Sequence, residues 1–110
     1  MSSEISKNLD VNKPNWKSAS QKFATETEAV QFVHDFWTHV LPPGDSGLER
    51  ILSKTTIDDL KEETFLDRTV MRKTGIENPV FQVVIYRNTD KEPLTPKAIE
   101  FLQSRGIQGA

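Results

Sequence analysis

The sequence predicts a small single domain of the α+β class, built from a long amphipathic helix, two short helices, a β-hairpin and a C-terminal helix. Three observations support this class. The segment "TETEAVQFVHDFWTHVL" places its apolar residues on one half of a helical wheel. The run "VFQVVIYR" is rich in the β-branched and aromatic residues that favour strands. The segment "LTPKAIEFLQSRGI" carries the start and stop signals of a further helix.

The composition fits one folded domain in a reducing compartment. The chain has 110 residues and no cysteine, which excludes disulfides, iron–sulfur clusters and zinc bound by thiolates. The first stretch is polar, so we expect residues 1–21 to form a flexible N-terminal arm and residues 22–110 to form the single α+β domain. No apolar run approaches the roughly 18 residues of a membrane span. We therefore expect a cytoplasmic protein that does not bind membranes.

Charge is divided unevenly along the chain, although the net charge is only −2. Residues 23–67 contain ten acidic and three basic residues, whereas residues 68–97 contain six basic and three acidic residues. A division of this kind can steer a charged partner.

The long helix has a defined start and end, and its two histidines diverge. Thr25 and Glu28 have the spacing of a capping box, and the Pro-Pro-Gly at 42–44 ends the helix. His34 and His39 are five residues apart, which separates them by about 140° on the helical wheel. They cannot easily bind one metal ion, and Asp35 does not share a face with His34. This pattern predicts a core helix without a metal site.

The next segment, "SGLERILSKTTIDDLKEETF", does not fit one helix. Its apolar residues before position 53 share a face that lies opposite to Ile57 and Leu60. Two successive short helices remove this conflict, the first capped at Ser46 and the second at Thr55 or Thr56.

A β-hairpin follows, with arms at 66–73 and 80–87 and a pairing centre near Gly75 and Ile76. Because side chains alternate between the faces of a strand, we expect one face to pack on the long helix. That face carries Phe65, Thr69, Met71, Phe81, Val83 and Ile85. The second face carries Leu66, Arg68, Val70, Arg72, Val80, Gln82, Val84 and Tyr86.

Two strands alone make a marginal sheet, so we expect the sheet to be extended. One alternative is an edge strand from "QKFA" near residue 22. The other is that the strand at 80–87 pairs with a second copy or with a strand of a partner.

The C-terminal helix has the best-defined ends. Thr95 is placed as the N-cap and Pro96 as the first helical residue. Gly106 stands where a terminating residue of left-handed conformation belongs, and Ile107 can fold back onto the last turn.

The sequence contains no catalytic constellation that we can identify. The glycines are dispersed, and neither a phosphate-binding loop nor a nucleophile elbow is present. We predict no catalytic residue, cofactor or metal, although the chain being an enzyme remains open. In that alternative, His34, Asp35 and His39 supply the polar groups of a small-molecule-binding or enzymatic site in a helix–sheet domain.

The second face of the hairpin is the main candidate for function. Arg68, Arg72, Gln82 and Tyr86 combine cations, an amide and an aromatic ring, and residues of these types are enriched at protein interfaces. Trp16 in the arm docks either on its own domain or on a partner, and in the second case it belongs to the interaction surface. The favoured hypothesis is a non-enzymatic protein-interaction or regulatory module that acts through the hairpin's face and edge, with a protein partner or as a homodimer.

Two other uses of the second face stay open. Arginines and an aromatic ring on an open sheet can also hold single-stranded nucleic acid. Alternatively, the acidic helix pair covers the face within the domain, with Arg68 or Arg72 bonded to Asp58 or Glu62.

Overall fold

The computed structural model describes residues 14–87, 89 and 92–110. It confirms the α+β class, with three helices and one four-stranded antiparallel sheet. In chain order the elements are β1 Ser18–Phe23, α1 Glu26–Val40, α2 Ser46–Leu52, β2 Glu62–Thr64, β3 Asp67–Thr74, β4 Val80–Arg87 and α3 Pro96–Ser104.

The sheet has the strand order β1-β4-β3-β2, so β4 is a central strand. All three neighbouring pairs are antiparallel. The edge strand expected near residue 22 is therefore present as β1. The alternative, in which β4 pairs with a strand from outside the domain, is wrong because β1 and β3 already occupy both edges of β4.

The folded part of the chain begins before residue 22. Strand β1 starts at Ser18, inside the segment expected to be an arm, and the remainder of that segment up to residue 13 lies outside the described residues. Trp16 is half-buried and packs against the domain's own core. Its backbone oxygen accepts a hydrogen bond of 2.8 Å from the Leu94 N–H. Of the two alternatives for Trp16, the structure therefore shows docking on its own domain.

Helices α1 and α3 begin as the sequence predicts. The Thr25 hydroxyl accepts a hydrogen bond from the Glu28 N–H at 3.2 Å and closes the first turn of α1. Thr95 caps α3 in the same way, with Pro96 in the first turn. Gly106 adopts φ +70°, and the Ile107 N–H donates to the carbonyl of Leu102, so α3 ends in the expected folded-back turn.

The second of the two predicted short helices is wrong. Residues 57–60 form one turn, closed by the hydrogen bond from the Leu60 N–H to the Thr56 carbonyl at 3.0 Å, and the chain then enters β2 at Glu62. Pairing with β3 explains the extended backbone, because Glu62, Glu63 and Thr64 lie opposite Val70, Thr69 and Arg68. Within β2 only Glu63 is buried and its two neighbours are exposed, which is the alternation of a strand.

The hairpin is confirmed, but its pairing centre is shifted. Thr74 pairs with Val80, so the two arms are centred on Glu77 rather than between Gly75 and Ile76. Gly75 adopts φ +89°, which favours glycine and lets the longer loop turn back. The assignment of the paired strand residues to the two faces is unaffected, since Thr69, Met71, Phe81, Val83 and Ile85 are all buried. Leu66 is an exception: it was expected on the second face, but it lies between β2 and β3 and lines a groove with Leu41 and Pro96.

The core lies between the helices and one face of the sheet. Trp37 and Phe36 of α1 are fully buried, and the Trp37 indole N–H donates to the Thr69 hydroxyl at 3.1 Å. Phe101 of α3 packs edge-on against Phe36 with ring centroids 5.5 Å apart. Helix α2 adds two buried aliphatic side chains to the same core. All three helices therefore cover the same side of the sheet.

Candidate interaction surface

The two faces of the sheet have different surroundings. We call the helix-covered side the inner face and the opposite side the outer face. The outer face carries the side chains of alternate strand residues: Ser18, Ser20 and Lys22 of β1, Glu62 and Thr64 of β2, Arg68, Val70, Arg72 and Thr74 of β3, and Val80, Gln82, Val84 and Tyr86 of β4. Among the described residues, no helix packs on the outer face.

The centre of the outer face consists of cross-strand pairs between β3 and β4. Val70 lies opposite Val84, and Arg72 lies opposite Gln82. The two valines and Gln82 are half-exposed, and Arg72 is exposed. The sheet thus presents an aliphatic strip that is bordered by polar and charged side chains.

Arg68 and Tyr86 form a further pair at one end of this strip. The Arg68 guanidinium lies over the Tyr86 ring, 5.1 Å from its centroid, and it is also paired with the Glu62 carboxylate. The hydrogen bond that Arg68 donates to Glu62 raises the pKa of Arg68 above its usual value. The Arg68 Nε atom is buried and has no hydrogen-bond partner among the described residues. The structure therefore places all four predicted residues of the second face on one open surface.

Internal packing of this surface is not observed in the described part of the chain. Arg68 does bond Glu62, as that alternative required, but Glu62 lies beside it on strand β2 rather than on a covering helix. The side chains of Arg68 and Glu62 remain 29% and 48% exposed.

The outer face is basic although the chain is acidic overall. Lys22, Arg68 and Arg72 stand against Glu62, a local charge of +2, whereas the whole chain carries −2. Sequence reasoning did not assign Lys22 to this surface, because the edge strand near residue 22 was one of two alternatives and its register with β4 was unknown.

The outer face is also small. Its four strands lie about 4.8 Å apart and are about six residues long, with about 3.3 Å per residue, so the flat area of the face is roughly 350 Å². A standard protein–protein interface buries about 800 Å² on each partner. A partner that occupies this face alone would therefore form a contact smaller than a standard interface, and an interface of standard size must extend beyond this face.

The two histidines lie on opposite sides of α1, as their spacing predicts. His34 Nε2 is 2.7 Å from the Lys54 carbonyl oxygen, whereas His39 Nε2 is 3.1 Å from a Glu100 carboxylate oxygen. Asp35 is paired with Arg105 of the segment after α3 at 2.6 Å. Asp35 and His39 line one shallow cavity of about 390 Å³. His34 is not part of that cavity, so the structure does not bring the three residues together.

Two buried carboxylates were not singled out from the sequence. Glu63 accepts hydrogen bonds from Arg50 at 2.9 Å and from Lys54 at 2.5 Å. Burial raises the pKa of Glu63, but the hydrogen bonds and positive charges of Arg50 and Lys54 outweigh it and lower that pKa below its usual value. Fully buried Asp67 accepts from both the N–H and the hydroxyl of Thr95. Glu63 thus links β2 to Arg50 of α2 and to Lys54, and Asp67 links β3 to the N-cap of α3.

Neither carboxylate belongs to a recognisable metal site. In the part of the chain that the structure describes, no group of three or more histidine, aspartate or glutamate side chains is placed to hold a metal ion.

Two apolar grooves border α3. One, of about 460 Å³, lies between α3 and the segments around Pro14 and Pro93. The other, of about 450 Å³, lies at the start of α3 and includes Leu41 and Leu66, of which Leu66 is 65% exposed. Both are open surface grooves.

Comparison with known proteins gives no relative. No family model matches the chain, and no curated protein or solved structure shows significant similarity to it. None of the helices in the described residues is long and apolar enough to cross a membrane. Function therefore has to be inferred from the chain's own residues.

Proposed function

We propose that the chain is a non-enzymatic protein-interaction module whose outer face binds an acidic surface of a protein partner. The observation that supports this is the open aliphatic strip of Val70 and Val84, which three helices leave uncovered. Exposed Arg72 and Lys22 border the strip and carry no ion-pair partner among the described residues. Apolar contact would supply the affinity, and charge would select the partner.

An acidic partner fits this surface better than a second copy of the chain. In a symmetric dimer joined through the outer faces, the same patch meets itself. Lys22, Arg68 and Arg72 would then lie against the same three cations with only Glu62 to offset them. Like charges in a partly desolvated interface oppose association.

Single-stranded nucleic acid is the less favoured ligand of the same face. Tyr86 is the only tyrosine of the chain, and its ring is already covered by the Arg68 guanidinium. Arg68 in turn is bonded to Glu62. Base stacking and phosphate contact would both have to displace existing contacts.

A charge-reversal pair tests the proposal. The full chain would be used to capture partners from native lysate, with nuclease, at low and high salt, and the captured protein would then be purified and its affinity measured. We expect Arg72→Glu to weaken binding at least tenfold, because it places a carboxylate against an acidic surface. Tyr86→Ala should weaken binding by a smaller factor.

The matched control is Lys97→Glu, which makes the same charge change at an exposed position of α3. Equal losses for Lys97→Glu and Arg72→Glu would show that net charge, and not the outer face, controls binding. A ligand that disappears on nuclease treatment would move the function to nucleic acid.

A further inference from the structure

Strand β1 has an edge that the rest of the sheet does not cover. Its residues alternate in the direction of their backbone groups, as antiparallel strands require. The N–H and the carbonyl of Ser18 both point away from β4, because both are bonded to Ala110. By alternation, the backbone groups of Ser20 and Lys22 point the same way. No backbone partner for them occurs among the described residues.

A short segment of the same chain covers only the beginning of this edge. We call residues 108–110 the edge segment. The Ala110 N–H donates to the Ser18 carbonyl at 2.8 Å, and the Ala110 carbonyl accepts from the N–H groups of Lys17 and Ser18 at 2.7 and 3.2 Å. The mutual pair of bonds with Ser18 is that of one antiparallel strand pair. The edge segment thus pairs with β1 only at Ser18, as one residue of a fifth strand would.

Close packing at Gly109 holds the edge segment in place. A Cβ atom at this position would lie 2.6 Å from two atoms of the Trp16 ring and 2.8 Å from the Ser18 carbonyl oxygen. Any larger residue would therefore push the edge segment away from β1. The segment has no charged side chain, and Gln108 and Ala110 are exposed.

A groove of about 360 Å³ lies where the edge meets the outer face. Ser20, Gln82 and Val84 line it from the sheet, and Gln108 and Ala110 line it from the edge segment. A strand that replaced the edge segment would therefore lie beside β1 and extend the outer face by one strand.

We infer that the edge segment is a removable cover and that the partner of the outer face binds as an extended strand added to the β1 edge. This inference rests on the proposed function and specifies the conformation of the partner. Backbone hydrogen bonds to Ser20 and Lys22 would supply affinity, as in other complexes formed by strand addition. The added strand also lengthens an interface that is too small when limited to the outer face.

The partner strand is expected to carry an acidic side chain next to Lys22. Lys22 points to the outer face at the exposed edge, and Arg72 lies two strands away in the same row. Strand β1 contains no acid, so pairing of β1 with the β1 of a second copy would leave Lys22 without an opposite charge. A separate segment with alternating acidic and apolar residues would place its acidic side chains beside Lys22 and could pair with β1 as a strand.

Two capped peptides of opposite charge test this inference on the full chain. The probe is acetyl-Val-Glu-Val-Glu-Val-amide, and its control replaces both glutamates with lysine. Binding would be followed by amide NMR shifts and by hydrogen exchange. We expect the acidic peptide to bind Gly109→Val at least tenfold more tightly than the unmodified chain, and to slow exchange at Ser20 and Lys22. The control variant Gln103→Ala lies at an exposed position of α3, outside the edge segment and its groove, and should behave as the unmodified chain.

Ser20→Pro gives a second test of the edge. Its missing N–H points away from β4, so the β1–β4 ladder keeps its bonds while the proposed added strand loses one. We expect at least fivefold weaker peptide binding than for Ser20→Ala. If Ser20→Pro does not fold, the amide exchange of the unmodified chain with peptide tests strand addition instead. Slower exchange at Ser20 and Lys22 would support it, and unchanged exchange would reject it.

The outcomes separate this inference from the proposed function. Absence of peptide binding, or equal binding to the unmodified chain and to Gly109→Val, would overturn the removable cover. Self-association of Gly109→Val without peptide would replace the partner strand with a second copy. Partner capture that depends on Arg72 but not on the Ser20 N–H would retain the proposed function and reject strand addition. Loss of the Arg72 dependence itself would reject the proposed function.

Discussion

Consecutive residues of β4 show how differently the two faces of one sheet are used. Val83 points to the inner face and is fully buried against the helices, whereas Val84 points to the outer face and remains half-exposed. The two residues have the same side chain, strand and neighbouring strands. The difference lies only in what covers them. Burial on the inner face stabilises the domain, and the outer face retains apolar area that is available for binding.

The largest expected effect on stability is the difference between alanine substitutions at Val83 and Val84. Val83→Ala should lower the free energy of unfolding by about 2–3 kcal/mol, because it removes buried methyl groups and leaves a cavity in close-packed surroundings. Val84→Ala should lower it by less than about 1 kcal/mol, since part of its surface is already in water. Urea unfolding of both variants measures the difference. Equal losses would show that the outer face is also a packed interior surface.

Two consecutive glutamates of β2 repeat the comparison for charge. Glu63 points inward to Arg50 and Lys54, and Glu62 points outward to Arg68. We expect Glu63→Gln to lower the free energy of unfolding by about 2 kcal/mol. This loss is smaller than that for breaking a fully buried ion pair, because Arg50 remains half-exposed to water. Glu62→Gln should cost less than about 0.5 kcal/mol, as exposed ion pairs contribute little.

The pH dependence of stability gives a second measure of Glu63. Its pKa is lowered in the folded state, so its contribution is complete above the unfolded-state pKa of about 4.3. The contribution is lost as the pH falls through the lower folded-state pKa. Between about pH 6 and about pH 2, the free energies of unfolding of the unmodified chain and of Glu63→Gln should therefore approach each other as the pH falls. A constant gap across this range would show that the pKa of Glu63 is not lowered.

Thr69 provides a smaller test of the inner face. Thr69→Val keeps the side-chain shape but removes the acceptor for the buried Trp37 indole N–H. We expect a loss of about 1–2 kcal/mol, the usual cost of leaving a buried donor without a partner. The matched change Thr74→Val, at an exposed position of the same strand, should change stability by less than about 0.5 kcal/mol.

Local patterns predicted the elements whose signals are contained within one segment. The caps of α1 and α3 depend on Thr25 and Thr95, and the two faces of the hairpin follow from strict alternation between Thr69 and Ile85. Strand β1 could be offered only as an alternative, because an edge strand with one buried side chain, Ala19, lacks the apolar pattern of a strand.

Long-range contacts explain the part of the fold that the sequence did not reveal. Strand β2 depends on Glu63 meeting Arg50 and Lys54 of another element. The residues of the outer face could be named from alternation, but the absence of a covering helix could not. That property depends on the side of the sheet on which all three helices pack.

A small effect on stability is expected at Arg72, where a large effect on binding is proposed. Arg72 is exposed and lies opposite Gln82 on the outer face, so Arg72→Glu removes little packing. We expect a change of less than about 0.5 kcal/mol in the free energy of unfolding, as for most exposed surface substitutions. Urea unfolding measures it beside the binding experiment. A loss above about 1 kcal/mol would mean that Arg72 stabilises the free domain, because an exposed side chain without buried contacts has no comparable cost. Reduced binding by Arg72→Glu would then no longer identify the outer face as the binding surface.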